Sequence, residues 1–128
     1  MFVFAENLNK TLCQNNPSAL VVFGDNLITK GKAGQAIIRD ERNAFGVPTK
    51  RLPSMNSNAF FSDLEDEYQE VKDKLIYLWG EHTRGKIIIL PDNMIGTGLA
   101  DLQNRSPKIM KLIERFYKSA KETLNTRT

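Results

Sequence analysis

The chain has little of what metal, redox and triad chemistry use. There is one cysteine, Cys13, and one histidine, His82. A lone cysteine forms no internal disulfide, and no CxxC pair or His/Cys cluster is present to hold zinc. A reducing compartment is the expectation. His82 stands in the charged stretch Glu81-His82-Thr83-Arg84, which reads as surface, so a His-based triad or metal site is not expected. No apolar run approaches the ~20 residues of a membrane span. The run Ile87-Ile88-Ile89-Leu90, closed by Pro91, has the length of a buried strand. The first residues lack the basic and apolar regions of a secretory leader, and no lipidation motif is seen, so the expectation is a cytoplasmic protein. Charge of one sign is scarce too. Eighteen basic against 15 acidic residues leave +3, without the dense basic face of a dedicated nucleic-acid binder.

What is present suits one globular domain, residues 1–128. Hydrophobic residues make up 41%, enough for a real core at this length. Phe2 to Ala5 reads as a short first strand, and a short helix is expected around Leu8 to Cys13. Ala19-Leu20-Val21-Val22-Phe23 is a compact apolar run that stops at the turn signal Gly24-Asp25-Asn26. A glycine-bearing loop then opens a short helix near Ala36 to Asp40. Strands follow around Phe45 to Thr49 and at Ala59-Phe60-Phe61. Ser62-Asp63-Leu64-Glu65 has the form of a capping box. It opens a helix with Leu64, Tyr68, Val71, Leu75, Leu78 and Trp79 on its buried stripe, ended by Gly80 or Gly85. After the strand Ile87 to Leu90, Ser106-Pro107 marks the start of the last helix. Its stripe is Ile109, Ile113, Phe116, Tyr117, Ala120 and Leu124, with a frayed end at Asn125 to Thr128. This alternation predicts an α/β layer fold with a largely parallel sheet. Ligands in such folds sit beyond the C-terminal ends of strands.

Two glycine-bearing loops follow the two strongest strands. The first, Gly24 to Ala36, offers the backbone of Gly31, Ala33, Gly34 and Gln35, with Lys30 and Lys32 adding positive charge. Glycines let backbone N–H groups approach an anion. It is neither a Walker A motif nor a dinucleotide fingerprint, because the glycine spacing differs and Lys32 is followed by Ala33. The second, Asp92-Asn93-Met94-Ile95-Gly96-Thr97-Gly98-Leu99, brackets a hydroxyl between two glycines and can clasp a diphosphate. The alternative for both is that they are turn and packing glycines in ordinary connections.

Ile95-Gly96-Thr97-Gly98 after an apolar strand resembles the phosphate-binding loop of macro domains. Strand Ala19 to Phe23, then Asp25-Asn26 and a glycine-bearing loop, resembles their first motif. The likeness spans residues 19 to 117 in order of elements and extends to small macro-like proteins of bacteria and tailed phages. It implies a single-domain, three-layer macro-like fold, with a mixed, largely parallel sheet flanked by helices. It also implies binding of ADP-ribose, or a macromolecule carrying it, and in some members ADP-ribosyl glycohydrolase activity. No cofactor or metal is implied. The asparagine-rich first motif is here only Gly24-Asp25-Asn26. The acidic residue that reads adenine has no counterpart beyond Glu6 or Asp25. Within this reading Asp25 is the candidate base that orients water, and Asn26 the ribose contact. Asn43, Asp92 and Asn93 could face the same cleft. Lys50 or Arg39 could pair a phosphate, and one ring of Phe60 and Phe61 could stack on a base. The alternatives are a non-catalytic phage or bacterial accessory protein that binds another protein, and a weak nucleic-acid binder using Lys30 to Arg51.

Overall fold

The computed structural model describes residues 1–125. Four strands form one sheet in the order β1-β4-β2-β3, all parallel: β1 (Phe2–Ala5), β2 (Ala19–Asn26), β3 (Ala44–Lys50) and β4 (Ile87–Pro91). A mixed sheet was expected. The antiparallel pairing among the described residues is instead one isolated bridge, Lys50 to Phe60. β2 and β4 are the interior strands and pair directly, Ala19 with Ile87 through Val21 with Ile89. Their apolar runs are covered on both faces, as parallel sheets require.

The pleat divides the apolar residues between two layers. Val22, Val47, Ile88 and Leu90 face the long helices α2 (Glu65–Thr83) and α4 (Pro107–Asn125). Val21, Phe23 and Ile89 face the other side, where Cys13 of α1 (Lys10–Asn15) and Ile38 of a 3₁₀ turn (Gly34–Ile38) complete a smaller core. The molecule is therefore a three-layer α/β domain. Burial pushes the Cys13 thiol pKa up, which fits a packing residue and not a nucleophile. Pro48 is tolerated inside β3 because β3 is an edge strand.

Several local details depart from expectation. α1 covers Lys10–Asn15, displaced from the Leu8–Cys13 expected. Ala59 to Phe61 is not a strand: Ser57–Ala59 is a 3₁₀ turn, and both Phe60 and Phe61 bury their rings in the protein interior. α2 starts two residues late, with Leu64 as its N-cap residue and Glu67 accepting from the Leu64 N–H at 3.2 Å. Ser62 does not cap, because Asp63 adopts a left-handed conformation and turns to the other helix. There its carboxylate accepts from the N–H groups of Lys108 and Ile109, both at 3.0 Å, and so caps α4. Ser106, expected to cap α4, accepts the Asp63 N–H through its hydroxyl. Gly80 lies within α2, and the chain leaves the helix through Gly85 at φ +95°. Leu64 and Leu124, placed on buried stripes by their spacing, are exposed. His82 is not plain surface: its ring stacks on Phe2 at 4.3 Å. Asn125 closes α4, and the rest of the expected frayed end, residues 126–128, lies outside the described residues. No helix among the described residues is long and apolar enough to cross a membrane.

Candidate functional site

All four strands point their C-terminal ends the same way. At that end the chain leaves β2 toward the face of α1 and leaves β4 toward the face of α4. Neighbouring strands whose exits diverge open a crevice between them, the usual ligand position of open α/β sheets. Here the crevice is a cleft of about 520 Å³, within the ~300–1,000 Å³ typical of small-molecule sites.

Both glycine-bearing loops line it. From the first come Gly24, Asp25, Asn26, Gly31, Lys32, Ala33, Gly34 and Gln35, and from the second Gly96, Gly98 and Leu99. The structure thus brings together most of the residues singled out from sequence. Five lie elsewhere. Asn43 is at the opposite end of β3, where its amide donates to the carbonyls of Cys13 and Asn16. Asp92 and Asn93 are exposed and outside the lining, the Asp92 N–H being spent on Ala5 O at 2.8 Å. Ile95 is a core side chain, 1% exposed. Thr97 points its hydroxyl at Met94 O, so it donates within its own loop.

A third wall is only partly legible in the sequence. It consists of Thr49 and Lys50 at the end of β3 and Pro53, Ser54 and Met55 beyond it. Of these, Thr49 and Lys50 stand out in the sequence, at the polar end of the stretch Asn43 to Lys50. A bulge where β2 pairs with β3, after Asp25, brings Thr49 Oγ1 within 3.2 Å of Asp25 O. Arg51 then anchors the segment by pairing with Glu67 across the start of α2.

The first loop is held by side chains, not left floppy. Asn26 donates to Lys30 O at 2.7 Å and is itself buried. Arg39 Nη2 meets Asp25 Oδ1 at 2.6 Å, and the same guanidinium donates to the carbonyls of Gly31 and Lys30. Gln35 Oε1 accepts the Gly24 N–H at 2.9 Å. The Asp25 carboxylate also accepts the Asn26 N–H. It lies so close over Gly46 that a Cβ there would come within 2.5 Å of it. The two groups expected to carry chemistry are therefore engaged in shaping the loop. Asp25→Asn removes the charge that Arg39 faces in a largely buried pair. It is expected to cost about 2 kcal/mol of stability, read by urea unfolding. A loss below about 0.5 kcal/mol would show that Arg39 does not depend on this partner.

The electrostatic balance of the cleft favours anions. Its lining holds one carboxylate, Asp25, already paired, against Lys30, Lys32 and Lys50. Lys32 has an exposed partner in Asp40. The backbone N–H groups of Lys32, Ala33, Gly34 and Gln35, and of Gly98, Leu99 and Ala100, donate to no protein acceptor among the described residues. Much of the positive charge between Lys30 and Arg51 is spent internally, on Asp25, Asp40 and Glu67. Among the described residues there is no group of three or more His, Cys, Asp or Glu side chains that could hold a metal ion.

The second loop is stapled at its base. Tyr117, buried in α4, donates its phenol to Pro91 O at 2.9 Å, and burial raises the phenol's pKa. Leu102 N–H closes the far end on Gly96 O at 2.9 Å. No curated protein and no solved structure matches this chain. Residues 3–116, nearly the whole fold described above, match the model of a family of unknown function, DUF7831, and the chain belongs to that family.

Proposed function

We propose that this protein binds a phosphate-bearing nucleotide in the cleft between its two glycine-bearing loops, ADP-ribose being the ligand implied by the macro-domain resemblance. The observation that carries the reading is the set of backbone N–H groups on both loops that lack a protein acceptor among the described residues. Their residues line a cleft whose one carboxylate is neutralised by Arg39. Unpartnered amides and nearby lysines are what a phosphate group satisfies. The reading is one of binding, not hydrolysis, because the candidate base Asp25 is committed to Arg39 and Asn26.

A thermal-shift screen with ADP-ribose, AMP, NAD and inorganic phosphate tests it. A ligand at a hundred times its Kd adds about 2.7 kcal/mol of stability, a shift of several degrees for a domain this size. No shift with any of the four would move the assignment to a protein-binding role.

Gly98→Val gives the sharper test. A Cβ at Gly98 meets nothing within 4 Å, and Gly98 lines the cleft. The valine therefore projects into open space without disturbing the core. The fold is expected to survive while affinity for the stabilising ligand drops at least about tenfold, or ~1.4 kcal/mol. Unchanged affinity in the folded variant would place the ligand elsewhere.

A further inference from the structure

Beside the third wall of the cleft two cations share one aromatic ring. Phe60 is 3% exposed. The Arg105 guanidinium lies 3.7 Å from its ring centroid and the Lys50 ammonium 4.6 Å. Each contact alone is an ordinary cation–π pair. Together they hold two positive charges near each other at a partly buried place, and like charges repel most where water is scarce.

The surrounding groups do little to offset this. Lys50 Nζ donates to Ser54 O and sits 3.7 Å from Met55 Sδ, both neutral. It makes no ion pair among the described residues. Among the described residues Arg105 has one acidic partner, Asp101, at 3.4 Å. Burial, and after it the charge of Arg105, pull the Lys50 pKa below its ordinary value. The Arg105 side chain is 42% exposed, so it is open to a ligand. Lys50 is part of the cleft lining.

We propose that Lys50 and Arg105, arrayed on Phe60, form a second anion-binding position of the cleft, which takes a phosphate group of the ligand other than the one held by the loop amides. Arginine offers a planar fork to two phosphate oxygens, and the lysine adds a point charge beside it. Both charged groups are already held at the ring, so little side-chain freedom is lost on binding. The consequence is a ligand class: one with at least two phosphate groups, such as a nucleoside diphosphate, in preference to a monophosphate. This inference rests on the cleft being the ligand site proposed above.

Titration of the labelled protein with inorganic pyrophosphate, followed by NMR, separates the two claims. The backbone amides of residues 32–35 and 98–100 report the loops, and the Arg105 Nε–H and Lys50 Cε–H signals report the second position. Saturable shifts in both sets are expected. Shifts of the loop amides without the side chains would overturn the second position and leave the binding cleft standing. Shifts of the side chains alone would overturn the two-phosphate proposal, since the loops would then hold no phosphate, and would count against the loop site as well. Unmoved signals throughout would overturn both. Lys50→Met, which removes the charge and keeps an unbranched side chain, is expected to weaken pyrophosphate at least tenfold and inorganic phosphate by less. An equal effect on the two probes, or none, would overturn the proposal.

Discussion

Glu67→Ala should lower the unfolding free energy by about 3–4 kcal/mol, one of the largest single losses available in this fold. Glu67 is 3% exposed, yet its carboxylate accepts from the Ser62 N–H at 2.8 Å, the Leu64 N–H at 3.2 Å and the Arg51 guanidinium. Removing it leaves two backbone donors without acceptors and a cation without its counter-charge. Breaking a buried pair from one side typically costs about 3–5 kcal/mol, and Arg51 retains some solvent and Ser62 Oγ, which argues for the lower part of that range. Glu67→Gln keeps the shape and one acceptor, so it should lose roughly half as much. Urea midpoints of the two variants check both figures. A loss below about 1 kcal/mol for the alanine variant would mean that the helix start does not depend on this carboxylate. The same residue reaches the cleft, because Arg51 adjoins Lys50 and fixes where the third wall begins.

Glu67 also shows where sequence reading stops. Ser62-x-x-Glu65 and Leu64-x-x-Glu67 both place an acidic residue at capping distance, and serine makes the first the better local choice. The second wins through partners far along the chain. Arg51 captures Glu67, and the α4 N-terminus captures Asp63. The strands were legible because each is a short apolar run bounded by turn residues. The parallel pairing of β2 with β4 followed from their being covered on both faces. Ala59-Phe60-Phe61 has the same local look, but Phe61 fills the core, and Phe60 makes only an isolated bridge and puts its ring under Lys50 and Arg105.

The candidate site was legible only where glycines marked it. Asp25 and Asn26 were found at the right place with a different task, since nothing local announces that Arg39 will fold back across Lys30 and Gly31. Asn43 and Asn26 are the same residue type near strands, and only the strand direction puts one at the cleft and the other at the far end. The third wall carries no glycine motif. It depends on a bulge and on a long-range ion pair, neither of which has a short-range signature.

Gly96→Val should cost more than 3 kcal/mol, in contrast to its neighbour in the same loop. Gly96 has φ +89°, a region that a β-branched residue enters only with strain of about 1–3 kcal/mol. A Cβ there would also run into the side chain of Leu102, which is fully buried. Neither partner can yield easily, because Gly96 O accepts the Leu102 N–H at 2.9 Å and holds the two residues face to face. Overpacking of this kind adds about 1–3 kcal/mol. Gly98, two residues on, has an ordinary φ and open space around its missing Cβ, so valine there should leave stability within about 1 kcal/mol of wild type. The two glycines of one motif thus divide the work: Gly96 closes the loop against the core, and Gly98 leaves room in front of the amides. Denaturant unfolding of both variants measures the difference directly. A Gly96→Val protein as stable as wild type would mean that the loop can re-form without the left-handed turn. Its amides would then not be held in place for an anion, and the loss of affinity expected for Gly98→Val would lose its geometric basis.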